Sequence, residues 1–181
     1  SNGWDDSSHE CPTMSGNSTA TDGESPRNSA RPRKFLVVVD KTNESRVALR
    51  FATRRAHHTG GRVTLLCVVE PGDFQQWRGV EEIMKDEAHQ EAENLIHNAA
   101  KQVNELSGIL SELVIAEGTR ADCLVELLKE DKDISILVLA SGTSKEGPGP
   151  LVSMFIGPGA YPIPVTIVPG TLSDDDIDAL A

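Results

Sequence analysis

Beyond Lys34 the chain alternates between short apolar runs and longer amphipathic stretches. Four of the runs are almost continuously apolar and rich in β-branched residues, which is typical of strands covered on both faces. They lie at 35–39 (FLVVV), 63–69, 134–140 (ISILVLA) and 165–168. A fifth stretch, 109–116, alternates apolar and polar positions and also predicts a strand. The pattern therefore predicts five strands.

The segments between these runs carry apolar residues three and four positions apart, the spacing of amphipathic helices. Polar caps and glycines mark their ends: Thr42 or Asn43 can begin the first helix, and Thr119 the third. The expected helices cover about 43–59, 80–106, 120–129 and 151–156. Strands that alternate with helices predict a parallel sheet with helices on both faces. Right-handed crossovers make this a doubly wound α/β fold.

The two ends of the chain differ from this middle part. Residues 1–33 contain seven Ser, three Thr, three Asn, three Gly and three Pro, with Trp4 as the single aromatic residue. This composition predicts a disordered polar leader, an ordered domain over 34–170, and an acidic tail over 171–181. We expect the tail to be a frayed terminus. A short amphipathic helix that uses Ile177 and Leu180 is the alternative.

Charge and cysteine content narrow the class of protein. The 181 residues carry a formal net charge of −11 and no strongly basic stretch, which argues against a nucleic-acid partner. No apolar run approaches the ~18 residues of a membrane span, so no membrane partner is expected. Cys11, Cys67 and Cys123 form no CxxC pair, which argues against a disulfide framework and a zinc site. This cysteine usage favours a reducing cytoplasm.

Catalytic patterns are missing from the same sequence. Ser141, Ser144 and Ser153 have no evident His or Asp partner, and there is no GxSxG motif. We therefore assign no catalytic residue and no metal ligand, and we favour a protein that is not an enzyme.

Three segments resemble the universal stress protein domain. They are Phe35–Ala56 (FLVVVDKTNESRVALRFATRRA), Val63–Pro71 (VTLLCVVEP) and Val138–Gly170, which ends in PIPVTIVPG. The resemblance spans about Lys34 to Gly170. It implies strand order 3-2-1-4-5, a cytoplasmic homodimer and, in one branch of the family, bound ATP with Mg.

Strand order 3-2-1-4-5 places a ligand crevice between the first and fourth strands. Their chains leave in opposite directions, and ligands bind beyond the carboxyl ends at such a switch point. Asp40, Lys41 and Thr42 would line it from one side, and residues 141–149 from the other. By resemblance, Asp40 matches an acidic residue near the adenosine and Val69 a residue whose backbone meets adenine. Alternatively, Asp40 only caps the turn into the first helix.

The phosphate loop of the ATP-binding branch is altered here. Its motif is Gly, two residues, Gly, nine residues, Gly, then Ser or Thr, and the glycines let backbone N–H groups approach phosphate. Gly147 and Gly157 keep the nine-residue gap, but Ser144 replaces the first glycine and Pro158 follows the last one. Pro148 also removes one backbone donor. The candidate nucleotide-binding residues are Asp40, Lys41, Thr42, Val69, Ser141, Gly142, Ser144, Gly147, Gly149 and Gly157.

The fifth strand predicts a self-association surface. Val165, Ile167 and Val168 form a short apolar strand at the sheet edge, and such edges need a cover or a partner. In universal stress proteins this strand commonly forms the dimer interface, so the resemblance implies a homodimer at these residues.

Three functions remain open from the sequence. The first is a regulatory or protective module of the universal stress protein type, with an adenine nucleotide at the altered loop. The second is a weak ATPase of the adenine nucleotide hydrolase-like group. The third is a nucleotide-free module that binds an unidentified protein partner.

Overall fold

Five parallel strands form one sheet in the order β3-β2-β1-β4-β5, in a computed structural model that describes residues 31–71 and 81–181. The strands are β1 (Lys34–Val38), β2 (Arg62–Val69), β3 (Glu112–Glu117), β4 (Ile134–Ser141) and β5 (Val165–Pro169). The predicted fold class and strand order are confirmed. Most of the predicted leader, residues 1–30 with Cys11, lies outside the described residues.

Within the described residues, five helices flank the sheet: α1 (Asn43–Thr59), α2 (Glu81–Ser107), α3 (Arg120–Glu130), α4 (Pro150–Ile156) and α5 (Asp174–Leu180). The predicted caps are present, since the side chains of Thr42 and Thr119 accept hydrogen bonds from the backbone of Ser45 and Asp122. Gly60 ends α1 in the left-handed conformation, with φ 65°. The four predicted helices therefore form, and α5 is an additional one.

Alternation along the strands separates the core into two layers. Phe35 and Val37 on β1, and Val39 just after it, belong to the cluster that contains α1, α2 and α5 residues. Leu36 and Val38 belong to the opposite cluster, with α3 and α4 residues. Successive strand side chains point to opposite faces, so a continuous apolar run fills both layers.

The third strand begins later than the sequence predicts. The expected start at Ile109 is wrong, because β3 starts at Glu112. Gly108 adopts φ 73° at the end of α2, and the Ile109 N–H donates to Ser107 Oγ at 3.2 Å. The residues between this turn and Glu112 therefore form a loop instead of a strand, and Ile109 packs against the core from that loop.

The expected frayed terminus is wrong, because residues 174–180 form α5, the short helix that the alternative interpretation predicted. Ser173 and Asp176 form a capping box, in which each side chain bonds the backbone N–H of the other residue. Ile177 is fully buried in the same core cluster as α1. The folded unit therefore continues past the predicted boundary at Gly170 and includes the acidic segment.

Ion pairs between α1 and α5 accompany this apolar contact. Arg46, Arg50 and Arg54 are four residues apart on α1 and face α5. Arg46 pairs with Asp174 at 2.8 Å, while Arg50 and Arg54 both pair with Asp178, at 2.8 and 3.0 Å. Hydrogen bonds from Arg50, and then from Arg54, lower the pKa of Asp178 from 3.8 to about 2. Asp178 therefore stays ionised at neutral and mildly acidic pH.

The homodimer at β5 stays a prediction. β5 is an edge strand of the sheet, with Ile167 exposed. Val168 is buried in the core of its own domain, and Val165 packs against the opposite core layer. A partner at this edge would meet Ile167 and the backbone of β5 rather than the side chain of Val168.

Candidate functional site

A crevice lies beyond the carboxyl ends of β1 and β4, where the segments that follow these two strands turn to opposite faces of the sheet. Its first cavity has a volume of about 240 Å³. Asp40, Thr42 and Glu44 line it from the β1–α1 side, and Gly142 with residues 148–152 lines it from the β4–α4 side. The cavity occupies the switch point that strand order 3-2-1-4-5 predicts.

A second cavity of about 270 Å³ opens on the other side of Asp40. It lies between the ends of β1 and β2 and the side of α2, and it is lined by Lys41, Val69, Glu91 and others. Three residues line both cavities: Asp40, Thr42 and Arg120. The crevice therefore has two compartments that meet at these side chains.

Asp40 is held by hydrogen bonds at both carboxylate oxygens. Oδ1 accepts from the backbone N–H of Thr42 at 2.7 Å and from its hydroxyl at 2.5 Å. Oδ2 accepts from Nη1 of Arg120 at 3.0 Å. The carboxylate thus braces the turn into α1, as the alternative interpretation expected, and it also lines both cavities.

The β4–α4 loop is closed on itself and tied to α1. The Gly142 N–H donates to the carbonyl of Pro148 at 3.0 Å. A carboxylate oxygen of Glu44 accepts from the backbone N–H and the hydroxyl of Thr143, at 3.4 and 3.3 Å. These contacts place Gly142 and Pro148 at the cavity wall and leave Ser144 exposed at the loop tip.

The structure brings together six of the ten predicted site residues. Asp40, Thr42, Gly142 and Gly149 line the first cavity, and Lys41 and Val69 line the second, together with Asp40 and Thr42. The other four line neither cavity: Ser141, Ser144, Gly147 and Gly157. Gly157 follows α4 with an extended backbone, φ −90° and ψ 170°.

Sequence reasoning missed four charged residues that line the crevice in the described part of the chain: Glu44, Glu70, Glu91 and Arg120. The Arg120 guanidinium lies 3.7 Å from a carboxylate oxygen of Glu70, besides its hydrogen bond to Asp40. One signal was available in the sequence. Arg120 lies three residues after the end of β3, and the carboxyl ends of parallel strands meet at one edge of the sheet. The sequence showed it only as the first residue of a helix.

Cys67 is a buried thiol at the wall of the crevice. Cys67 lines the second cavity, but burial raises the pKa of its thiol and so disfavours the thiolate nucleophile. Within the described ranges, no three His, Cys, Asp or Glu side chains cluster as metal ligands would. In the same part of the chain, no helix is both long and apolar enough to cross a membrane.

Replacing either of two glycines near the β4–α4 loop with alanine is expected to change the stability of the protein by different amounts. A Cβ on Gly170 would lie 2.4 Å from the carbonyl oxygen of Ser141, whereas a Cβ on Gly157 would meet nothing closer than 3.6 Å. We expect Gly170→Ala to lower the free energy of unfolding by about 1–2 kcal/mol, because the backbone must shift. Gly157→Ala serves as the matched control and should change it by less than about 0.5 kcal/mol. Urea denaturation measures both, and equal effects would contradict the described packing.

Comparison with known proteins adds to this geometry. A family model described as the universal stress protein family matches residues 32–152. A search of curated protein sequences gives no match.

Several solved structures share the fold. The universal stress protein UspA from Lactobacillus plantarum superposes with a TM-score of 0.65 at 18% identity, over 77% of this chain and 99% of that one. A universal stress protein from Archaeoglobus fulgidus in complex with dAMP gives 0.52 at 21% identity, over 75% and 97%. An Arabidopsis thaliana family member with AMP bound gives 0.57 at 15% identity, over 76% and 92%. The family model matches residues 32–152, which is more than half of the chain, and the sheet order and the crevice at its switch point agree with it. This protein therefore belongs to the universal stress protein family.

Proposed function

We propose that this protein is a regulatory module that binds an adenine nucleotide in the two-part crevice. The observation that carries the proposal is the open switch point, with one compartment on each side of Asp40. Together the cavities enclose about 500 Å³, within the ~300–1,000 Å³ typical of small-molecule sites. Two relatives of the same fold were solved with AMP or dAMP.

The two compartments suit different parts of a nucleotide. The second one combines apolar side chains from α2 with the end of β2 at Val69, where a flat base could lie. Asp40, between the compartments, can accept a hydrogen bond from a ribose hydroxyl. The first compartment then remains for phosphate, beside Gly142 and Gly149.

The charges of the first compartment favour a monophosphate over ATP. Asp40 and Glu44 both line it, whereas Arg120 is its single cationic side chain among the described residues. Pro148 and Pro150 border the same space and have no N–H to offer phosphate oxygens. ATP with Mg²⁺, which the resemblance implied, would place more negative charge against these carboxylates, although the cation offsets part of it.

Calorimetric titration with adenosine, AMP, ADP and ATP, the last with and without Mg²⁺, tests the proposal. We expect AMP to bind at least as tightly as ATP. Asp40→Asn should weaken adenosine binding about tenfold or more, because a hydrogen bond to a charged acceptor is lost. Asp133→Asn, an exposed aspartate outside both cavities, is the matched control and should change nothing.

Each alternative function predicts a different outcome when the titration is combined with an assay of phosphate release from ATP. Absence of heat at millimolar concentrations of every nucleotide would contradict the proposal and favour the nucleotide-free interaction module. Steady phosphate release from ATP would favour the weak ATPase. Retention of nucleotide without phosphate release supports the regulatory module.

A further inference from the structure

Arg120 occupies the boundary between the two compartments of the crevice. It is the first residue of α3, and its side chain reaches Asp40, which lies in the turn after β1, two strands away from β3 in the sheet. It lines both cavities and remains 39% exposed. A cation at this point lies next to any ligand that fills both compartments.

The guanidinium of Arg120 has unused hydrogen-bonding capacity. Of the five N–H groups of arginine, one donates to a described residue, the Nη1 bond to Asp40 Oδ2 at 3.0 Å. Glu70 lies 3.7 Å from Nε, which is an ion pair without a hydrogen bond. The remaining donors can form the two parallel bonds with which arginine binds phosphate.

Asp40 keeps its position when Arg120 engages another anion. Its Oδ1 is held by the backbone N–H and hydroxyl of Thr42, independently of Arg120. The Nη1 bond to Oδ2 can also remain, because a phosphate would take the other N–H groups. The weak contact with Glu70 is the one that must be given up.

We propose that Arg120 is the residue that recognises the phosphate monoester of the bound nucleotide. This inference rests on the proposed function and specifies its ligand as a nucleoside monophosphate. The altered β4–α4 loop, with Pro148 and Pro150, offers fewer backbone donors. A side chain from β3–α3 then supplies the charge and the bidentate geometry that the loop lacks.

The test compares AMP with adenosine in wild type and in Arg120→Gln. We expect AMP affinity to fall about tenfold to hundredfold in the variant, whereas adenosine affinity should stay within about twofold. Arg55→Gln, which removes one exposed charge from α1, is the matched control and should leave both affinities unchanged. The advantage of AMP over adenosine should also decrease with added salt in wild type and not in Arg120→Gln.

For a second variant, Glu70→Gln, we expect AMP affinity to change in the opposite direction. Glu70→Gln removes the carboxylate that competes for Arg120, so AMP affinity should rise several-fold while adenosine affinity does not. A purely structural role for Arg120, as a brace for Asp40, predicts no such gain.

The failures of the two proposals are distinguishable. If adenosine and AMP bind equally and Arg120→Gln changes neither, the role of Arg120 is overturned and the nucleotide site stands. If neither compound binds wild type, the proposed function itself fails.

Discussion

Replacing Lys34 with methionine is expected to lower the free energy of unfolding by about 3 kcal/mol at neutral pH. The Lys34 side chain is 4% exposed at the start of β1 and forms ion pairs with Asp131 and Glu112, which are 24% and 45% exposed. Methionine fills a similar volume but leaves both carboxylates without this cation. Because the carboxylates are partly hydrated, we expect the low end of the ~3–5 kcal/mol range for broken buried pairs. Urea denaturation measures the difference.

The pKa shifts of Lys34 and its two carboxylate partners make the expected loss of stability depend on pH. Burial disfavours the charged Lys34, but hydrogen bonds to Asp131 and Glu112 outweigh it and raise the pKa of the amine. The hydrogen bond from Lys34 lowers the pKa of Glu112 from 4.5 despite partial burial. The contribution of Glu112 is therefore complete above its ordinary pKa and is lost as pH falls through the lowered value. The gap between wild type and variant should therefore narrow as the pH falls below 4.5, the ordinary pKa of Glu112.

Two further variants make this result specific. Lys101→Met removes a lysine that is 74% exposed and should cost less than about 0.5 kcal/mol. Adding Asp131→Asn to Lys34→Met should recover part of the loss, because the carboxylate that loses its cation is then absent, whereas Glu112 keeps its ion pair with Arg62. A cost below about 1 kcal/mol for Lys34→Met alone would contradict this account of the cluster.

Ile177→Ala is expected to lower the free energy of unfolding by about 2–3 kcal/mol. Ile177 is fully buried where α5 meets the core layer of α1, and truncation removes apolar contact and leaves a cavity. The loss cannot exceed the total stabilisation that docking of α5 supplies. For this reason we place it toward the low end of the ~2–5 kcal/mol range for such truncations.

Leu180→Ala on the same helix is the matched control. Leu180 is 64% exposed, so its truncation should change stability by less than about 0.5 kcal/mol. Similar costs for Ile177→Ala and Leu180→Ala would mean that α5 is not docked through Ile177.

The secondary structure of the sheet and most helices could be predicted because their signals are local. Runs such as 35–39 and 134–140 are apolar at every position, which suits a strand buried on both faces. Thr42 and Gly60 mark helix ends through contacts within a few residues. The strand boundary that differs by more than one residue, at Ile109, depends on a turn after α2 that the apolar pattern does not encode.

The acidic segment shows where local signals are insufficient. A seven-residue helix is not stable by itself in water, so its composition favoured a frayed end. Its partners are far away in sequence, since Arg50 and Asp178 are 128 residues apart. Only the packing of α1 beside α5 brings the arginines and aspartates together and buries Ile177.

The candidate site also has a part that could be predicted from the sequence and a part that depends on tertiary structure. The sequence by itself determined a doubly wound sheet, and with the family resemblance it placed the crevice at Asp40 and the β4–α4 loop. The tertiary structure decided which loop residues reach the crevice, and it brought Arg120 to Asp40 across 80 residues. The physical reason is that strand and helix formation depends on neighbouring residues. The charge and shape of a crevice depend instead on which segments meet at one edge of the sheet.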